Sequence, residues 1–397
     1  MLKTDVLIIG AGPSGSIAAA ELLNQGFDVI LVEKKTFPRF VIGESLLPRC
    51  MDILKAVDLL EAVRSHGFQE KDGAKFLHEN QSCDFRFAEQ HTKGWEWTWQ
   101  VPRADFDHVL STEIERRGAS VFYEADFLDV ELSENEVKSR VRMEGEEREI
   151  QSRFLIDGSG YGRVLPRLLD LSRPSDQPSR DALFTHFTEN QRDQSEDNQR
   201  IQIIVLDREL WAWIIPFSNG KTSVGFVGEL NGRDFNELLN MDARLRDRFD
   251  SGEFVFEPQL ISAFSISVSK FYGDRFVLTG NSTEFLDPVF SSGVTLAMES
   301  AYRAAQIIGK QLREEAVNWE EDYVGYIQNG VDVFRSYVNY WYDGTLQTIF
   351  FADDIKQTIK DQICSVLAGY VWDDSNPYVK KHATAPKALA KVIDYNY

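Results

Sequence analysis

Val6-Leu7-Ile8-Ile9-Gly10-Ala11-Gly12-Pro13-Ser14-Gly15 is the stretch on which the fold turns. A four-residue apolar run ending at a glycine reads as a buried parallel strand. Ser16 to Gln25 is Ala-rich and reads as a helix that Gly26 stops. Asp28 to Val32 is a second apolar strand, closed by Glu33. Strand, G-x-G-x-x-G, helix, strand, acid is the order of a dinucleotide-binding unit. Gly10 permits the tight turn, Gly12 admits a pyrophosphate close to the backbone, and Gly15 lets helix pack on strand. Pro13 and Ser14 lie where the helix N-terminus offers N–H groups to phosphate. Glu33, with Lys34 beside it, is placed to accept from ribose hydroxyls.

Composition narrows the class. The 397 residues are 43% hydrophobic and 27% charged, enough for more than one lobe. A net charge of −20 argues against nucleic-acid or anionic-membrane partners, which need clustered Lys and Arg. No window approaches a membrane span. Met1-Leu2-Lys3-Thr4-Asp5 runs straight into the first strand, so no signal peptide is read. Cys50, Cys83 and Cys364 lie far apart with no CxxC spacing. This argues against a disulfide framework and a metal site, and for a reducing cytoplasm. Glu131 to Glu149 reads as an exposed hairpin, and the polar run Glu189 to Arg200 as a mobile loop.

Three further segments bear on which dinucleotide is bound. Phe37-Pro38-Arg39 leads into Gly43-Glu44-Ser45-Leu46-Leu47-Pro48. Val101-Pro102-Arg103-Ala104-Asp105-Phe106-Asp107 sets Arg103 at a helix entry, where its guanidinium could reach phosphate or ribitol. Phe154 to Gly160 and Phe276 to Asn281 are strands that end in glycine turns. Taken in this order, from about residue 4 to about residue 310, the chain resembles the flavoproteins typified by aromatic hydroxylases, geranylgeranyl reductases and flavin-dependent halogenases. The resemblance implies FAD as cofactor. It places the binding on Gly10, Gly12, Pro13, Ser14, Gly15, Glu33, Lys34, Glu44, Ser45, Arg103, Gly158, Gly280, Asn281, Pro288, Gly293 and Val294. The group usually has Gly-Asp where this chain has Gly280-Asn281; the amide keeps an acceptor oxygen and loses the charge.

Within that group, Leu210-Trp211-Ala212-Trp213-Ile214-Ile215-Pro216 matches the W-x-W-x-I-P element of the halogenases. Alternation puts Trp211 and Trp213 on one face of a strand, either as core or as a wall between flavin and substrate. Phe68 to Phe76 resembles the stretch that carries the halogenase lysine, which implies that role for Lys71, with Lys75 not separable from it by strand parity. A desolvated amine has a lowered pKa and can form a chloramine or hydrogen-bond hypochlorous acid. Phe285-Leu286-Asp287-Pro288-Val289-Phe290-Ser291-Ser292-Gly293-Val294 opens a helix, whose N-terminus favours anions. The resemblance places the halide on the backbone of Ser292 and Gly293. Tryptophan halogenases carry a glutamate where this chain has Phe290, which argues against free tryptophan and for a phenolic or pyrrolic acceptor, carrier-bound in some relatives. A single dinucleotide motif suits an external flavin reductase. An aromatic hydroxylase or an ene-reductase is the alternative reading.

The fold expected is α/β: a Rossmann-like FAD-binding domain (residues 1–80, 100–180 and 270–312), an antiparallel β substrate lobe (81–99 and 181–269) and a C-terminal helical region (313–397). Ile201 to Leu206, Trp211 to Pro216, Thr222 to Val227 and Phe264 to Val268 read as strands. Trp95, Trp97 and Trp99 alternate along another, as core or as a pocket wall. Ile327, Val331, Phe334, Val338 and Trp341 recur at helical spacing, in a packed cap or a lid.

Overall fold

In the computed structural model the first strand, Leu2–Ile9, is hydrogen-bonded on both sides. It runs parallel to Glu146–Asp157 and to Val29–Val32. Phe276–Leu278 adds outside Glu146–Asp157, and Ser120–Phe122 outside Val29–Val32, all parallel. The register sets Ile9 opposite both Val32 and Asp157, and Asp157 opposite Leu278. Four strands therefore end at one level, and the turns that follow them share one edge. That edge is where an open parallel sheet receives its ligand. The structure describes the chain except for residues 176, 179, 190–191, 193–194, 250–251, 263–265 and 396–397.

The helix after the glycine loop runs Pro13–Asn24, beginning earlier than the apolar pattern suggests. Proline at the first helical position has its φ preset and needs no hydrogen-bond partner for a missing N–H. The helix meets the strand end so closely that a Cβ on Gly15 would stand 1.9 Å from the Gly10 carbonyl oxygen. Helix Ser292–Leu312 packs across Pro13–Asn24. The acidic segment Glu131 to Glu149 is a meander, with Asp126–Leu132 and Val137–Met143 paired antiparallel and leading into Glu146–Asp157.

The second sheet is mixed rather than purely antiparallel. Asp181–Thr188, Lys221–Gly228, Leu210–Pro216 and Ile201–Asp207 are neighbours in antiparallel order, and Ile201–Asp207 then pairs in parallel with Gly73–His78. The chain thus enters this sheet at Gly73, ahead of the residue-80 boundary expected above. The tryptophan run is not a strand over its length: only Thr98–Gln100 is extended and paired. Trp95 instead donates its backbone N–H to the Tyr370 hydroxyl at 2.8 Å, and the three indoles pack edge to face at 5.9 and 5.1 Å. Of the polar run at 189–200, Glu196–Gln199 is a helical turn, and residues 190, 191, 193 and 194 lie outside the described residues. Phe264 lies outside them too, and the strand there is Ile266–Val268.

Helix Tyr326–Tyr342 buries Ile327, Val331, Phe334, Val338 and Trp341, the positions at helical spacing. Among the described residues, no helix is long and apolar enough to cross a membrane.

Gly15→Ala should destabilise the protein by about 1–3 kcal/mol or more, because the new methyl meets rigid backbone. Gly26→Ala has open space but φ +83°, and should cost about 1 kcal/mol from the left-handed conformation alone. Urea unfolding of the two variants checks the order; equal losses would show that the Gly15–Gly10 contact is not tight.

Candidate functional site

The shared sheet edge opens into a cavity of about 490 Å³. Its lining includes Gly10, Gly12, Pro13, Ser14 and Glu33, Gly43 to Ser45 with Arg103 and Gly158, and Trp211, Trp213, Pro288, Gly293 and Val294. Most of the residues expected to hold a dinucleotide therefore border one continuous space.

Each strand end contributes in its own way. Glu33 is buried, accepting from the Ala11 backbone N–H at 3.0 Å and the Lys35 N–H at 3.1 Å. Arg39 reaches Glu33 at 3.3 Å and Asp107 at 3.0 Å. Arg103 holds Asp107 with two bonds, at 2.8 and 3.0 Å, and donates to the carbonyls of Ile42 and Gly43. Two guanidinium groups and two carboxylates thus interlock, with both arginines at the cavity wall. Asp157 is buried and accepts from the Ser159 N–H, the Leu165 N–H and the Ser282 hydroxyl, so it shapes the turns rather than facing the cavity. Lys34 is mostly exposed at the mouth, 3.2 Å from Asp126. Gly280 is a turn glycine, φ +55°, packed on Ala297, while its neighbours Thr279 and Asn281 border the cavity.

These features fit an FAD. The wall near the pyrophosphate position is glycine backbone, and a Cβ on Gly12 would stand 3.4 Å from Arg39, filling the cradle. An acid ends the second strand, and the N-terminal residues of helices Pro13–Asn24 and Ser292–Leu312 both border the cavity.

Trp211 and Trp213 are buried side by side, ring centroids 6.0 Å apart, and both border the cavity. The Trp213 indole N–H donates to the Ser223 hydroxyl at 2.9 Å, and its ring lies where a side chain on Gly225 would be. The Trp211 N–H donates to the Tyr342 hydroxyl at 2.9 Å, which donates in turn to Asp287 at 2.8 Å. Burial pushes the Asp287 carboxyl up to about 6, against the lowering effects of the Tyr342 hydroxyl and Arg180.

At helix Ser292–Leu312, Gly293 borders the cavity with nothing within 4 Å of a notional Cβ. Ser292 is turned inward, 1% exposed, and it is Ser291, in the left-handed conformation (φ +55°), that reaches the cavity beside Gly293. First-turn N–H groups have no acceptor within a helix, so anion affinity resides here on backbone.

Lys71 ends strand Gln69–Lys71 and is 2% exposed. It sits one hydrogen bond behind the cavity wall: Nζ donates to the Ser45 hydroxyl at 2.9 Å and to the Leu46 carbonyl at 2.9 Å, and lies 5.4 Å from the centre of the Phe87 ring. Burial pushes its pKa down to about 7. Lys75 lies across the bend at Asp72, in strand Gly73–His78, with Nζ 3.9 Å from Asp84. The structure therefore separates the two lysines where parity did not.

Residues 3–323 match the family model described as FAD binding domain. A flavin-dependent halogenase of Armillaria mellea is 31% identical, over 79% of this chain and 68% of its own. This chain belongs to the flavin-dependent halogenase family. A 1H-pyrrole-2-carbonyl peptidyl-carrier-protein brominase of Pseudoalteromonas luteoviolacea is 28% identical over 93% of this chain and 92% of its own. A solved flavoprotein/dehydrogenase from Cytophaga hutchinsonii is 49% identical, covers 99% of both chains and superposes with a TM-score of 0.97. The chain is an FAD-dependent oxidoreductase of α/β fold.

For a flavin-dependent halogenase, the sequence left several participants unnamed. Arg39 and Asp107 stood in quoted segments without a role. Asp287 stood in one too, and Tyr342 carried no local signal, since it meets Trp211 and Asp287 only through the tertiary fold.

Lys71 also predicts a pH dependence of stability. Its folded pKa, about 7, lies below the ordinary 10.5, so between those values the unfolded chain binds the extra proton and stability rises with pH. From about pH 7 to 8, below the range where thiols of the unfolded chain ionise, wild type should gain stability relative to Lys71→Met. Parallel pH–stability curves for the two proteins in chemical denaturation would overturn the assignment.

Proposed function

We propose that this chain halogenates an electron-rich aromatic acceptor, a phenol or a pyrrole, free or on a carrier protein, in the cytoplasm, with a separate flavin reductase supplying reduced FAD. The observation that carries this reading is the Lys71 amine: buried, near neutrality in basicity, and one hydroxyl away from the cofactor cavity. A carrier-bound pyrrole is the acceptor named for the brominase relative. Bound with oxygen and a halide, reduced FAD supplies an electrophilic halogen as hypohalous acid.

The chain's own residues do the rest. Gly10, Gly12 and Glu33 hold one end of the cofactor, with Arg39 and Arg103 on its flank. The backbone N–H groups of Ser292 and Gly293 would hold the halide, with Ser291 beside them at the cavity. Trp211 and Trp213 exclude the acceptor from the cavity, so a ring is not oxidised there directly. Neutral Lys71 has two N–H bonds, matching its two acceptors, Ser45 and Leu46. Its lone pair is left to take the halogen as an N–halogen bond, the X–O bond of hypohalous acid breaking and its oxygen leaving as water with one amine proton, or to orient intact hypohalous acid by hydrogen bonding. The second sheet and the C-terminal helices form the acceptor's side, where residue 290 is a buried phenylalanine and brings no carboxylate.

Incubation with FAD, a flavin reductase, NADH, chloride or bromide and a panel of free and carrier-bound phenols and pyrroles should give halogenated product by mass spectrometry. Lys71→Ala should remove the product and retain FAD; halogenation surviving in that variant overturns the lysine's role. NADH without the reductase should bleach the flavin slowly. Fast bleaching with a hydroxylated or reduced product would replace this reading with a single-component hydroxylase or an ene-reductase.

A further inference from the structure

One carboxylate at the cavity wall carries an oxygen that the fold does not use. The Glu44 side chain is fully enclosed, and Oε1 lies 2.7 Å from His186 Nε2. Oε2 is buried without a hydrogen-bond partner, and Glu44 borders the cavity. Leaving such an atom unpaired is unfavourable in a folded protein. His186 comes from strand Asp181–Thr188 and is caged by the rings of Phe40, Phe217 and Phe256, at 5.0 to 5.6 Å. Those rings supply no conventional hydrogen-bond acceptor, so Glu44 sets the orientation of the imidazole. The charged groups facing the pair are Arg103, already held by Asp107, and Lys71, reached through the adjacent Ser45.

We propose that Glu44 and His186 form a proton-loading pair, and that Oε2 of Glu44 delivers the proton that halide oxidation consumes. The proposal rests on the halogenase reading. Its stoichiometry closes: neutral reduced FAD, oxygen, one halide ion and one proton give FAD, hypohalous acid and water. Oxygen gains four electrons, two from reduced FAD and two from the halide. The loaded pair holds one proton between a carboxylate and an imidazole and has no net charge. Giving up that proton leaves it with one negative charge, just as the halide's charge disappears into neutral hypohalous acid. The enclosed site then has the same total charge before and after, and the step avoids the cost of a new uncompensated charge in a low dielectric. His186, whose side chain keeps 8% of its surface accessible, is the side from which the pair reloads.

The test uses FAD-loaded wild type, Glu44→Gln, Glu44→Asp and His186→Gln, reduced anaerobically and mixed with oxygenated bromide, catalase and free methionine. Bromide-dependent methionine sulfoxide reports hypobromous acid without any aromatic substrate. Glu44→Gln should slow it by about 10²-fold, and Glu44→Asp should restore part of the rate. His186→Gln should shift the pH profile. A second readout needs no turnover: with six histidines in the chain, His186 is assigned in imidazole NMR spectra by the signal missing from His186→Gln. Its ring signals should move in Glu44→Gln, because the 2.7 Å contact to the carboxylate is changed. A wild-type rate and pH profile in Glu44→Gln, or unmoved His186 ring signals, overturns the pair. No sulfoxide from wild type with either bromide or chloride overturns the halogenase reading itself, and the proton role with it.

Discussion

The approach on which the nucleotide-binding half depends is between a backbone carbonyl and a missing side chain. The Gly10 oxygen occupies the space that a Cβ on residue 15 would need, and this brings the N-terminus of helix Pro13–Asn24 against the end of Leu2–Ile9. With that approach fixed, the phosphate-binding N–H groups stand over the strand ends, and the register aligns the turns after Val32, Asp157 and Leu278 beside them. Glu33, Gly158 and Asn281 reach one cavity because their strands stop at one level. Arg39, Asp107 and Arg103 then brace that edge with interlocking ion pairs, two of whose members are nearly solvent-free.

What was legible in the sequence was whatever is encoded by local spacing. The glycine loop, the acid at residue 33, the tryptophan pair and the lysine stretch each lie within a short window, where turn geometry and strand alternation act directly. What was not legible depends on pairings between distant segments. Glu44 meets His186, and Trp211 meets Asp287 through Tyr342, only after both sheets and the C-terminal helix have assembled. The choice between Lys71 and Lys75 failed for a related reason. Parity assumes one continuous strand, but the chain bends at Asp72 and passes from one sheet to another, with Asp72 bound by Arg200 at 2.9 Å. The expected strand through Trp95 gave way likewise, because a distant tyrosine hydroxyl took the backbone N–H that a strand partner would have used.

The basicity of Lys71 is set by its surroundings in an economical way. Among the described residues no carboxylate is hydrogen-bonded to it; its partners are a hydroxyl and a carbonyl, which bring no negative charge to hold the ammonium form. Desolvation is the leading cause of the lowered pKa. Packing thus does for this amine what a neighbouring cation does elsewhere, and the aromatic ring of Phe87 contributes to the dry surroundings. The same logic applies to the tryptophan wall, where Ser223, Tyr342 and the bare backbone of Gly225 give two large indoles defined seats.

The strand order also dictates when the protein can come into being. Leu2–Ile9 lies inside the parallel sheet, yet one of its two neighbours begins at Glu146, and the next strand outward ends at Leu278. During synthesis the N-terminal strand and its glycine loop emerge first and wait for partners made much later. Tyr342, which anchors Trp211, emerges later still. Most contacts that close the site are therefore long-range, a topology that folds slowly and leaves sheet edges open in the nascent chain. The cofactor meets a complete cradle only when most of the polypeptide has left the ribosome.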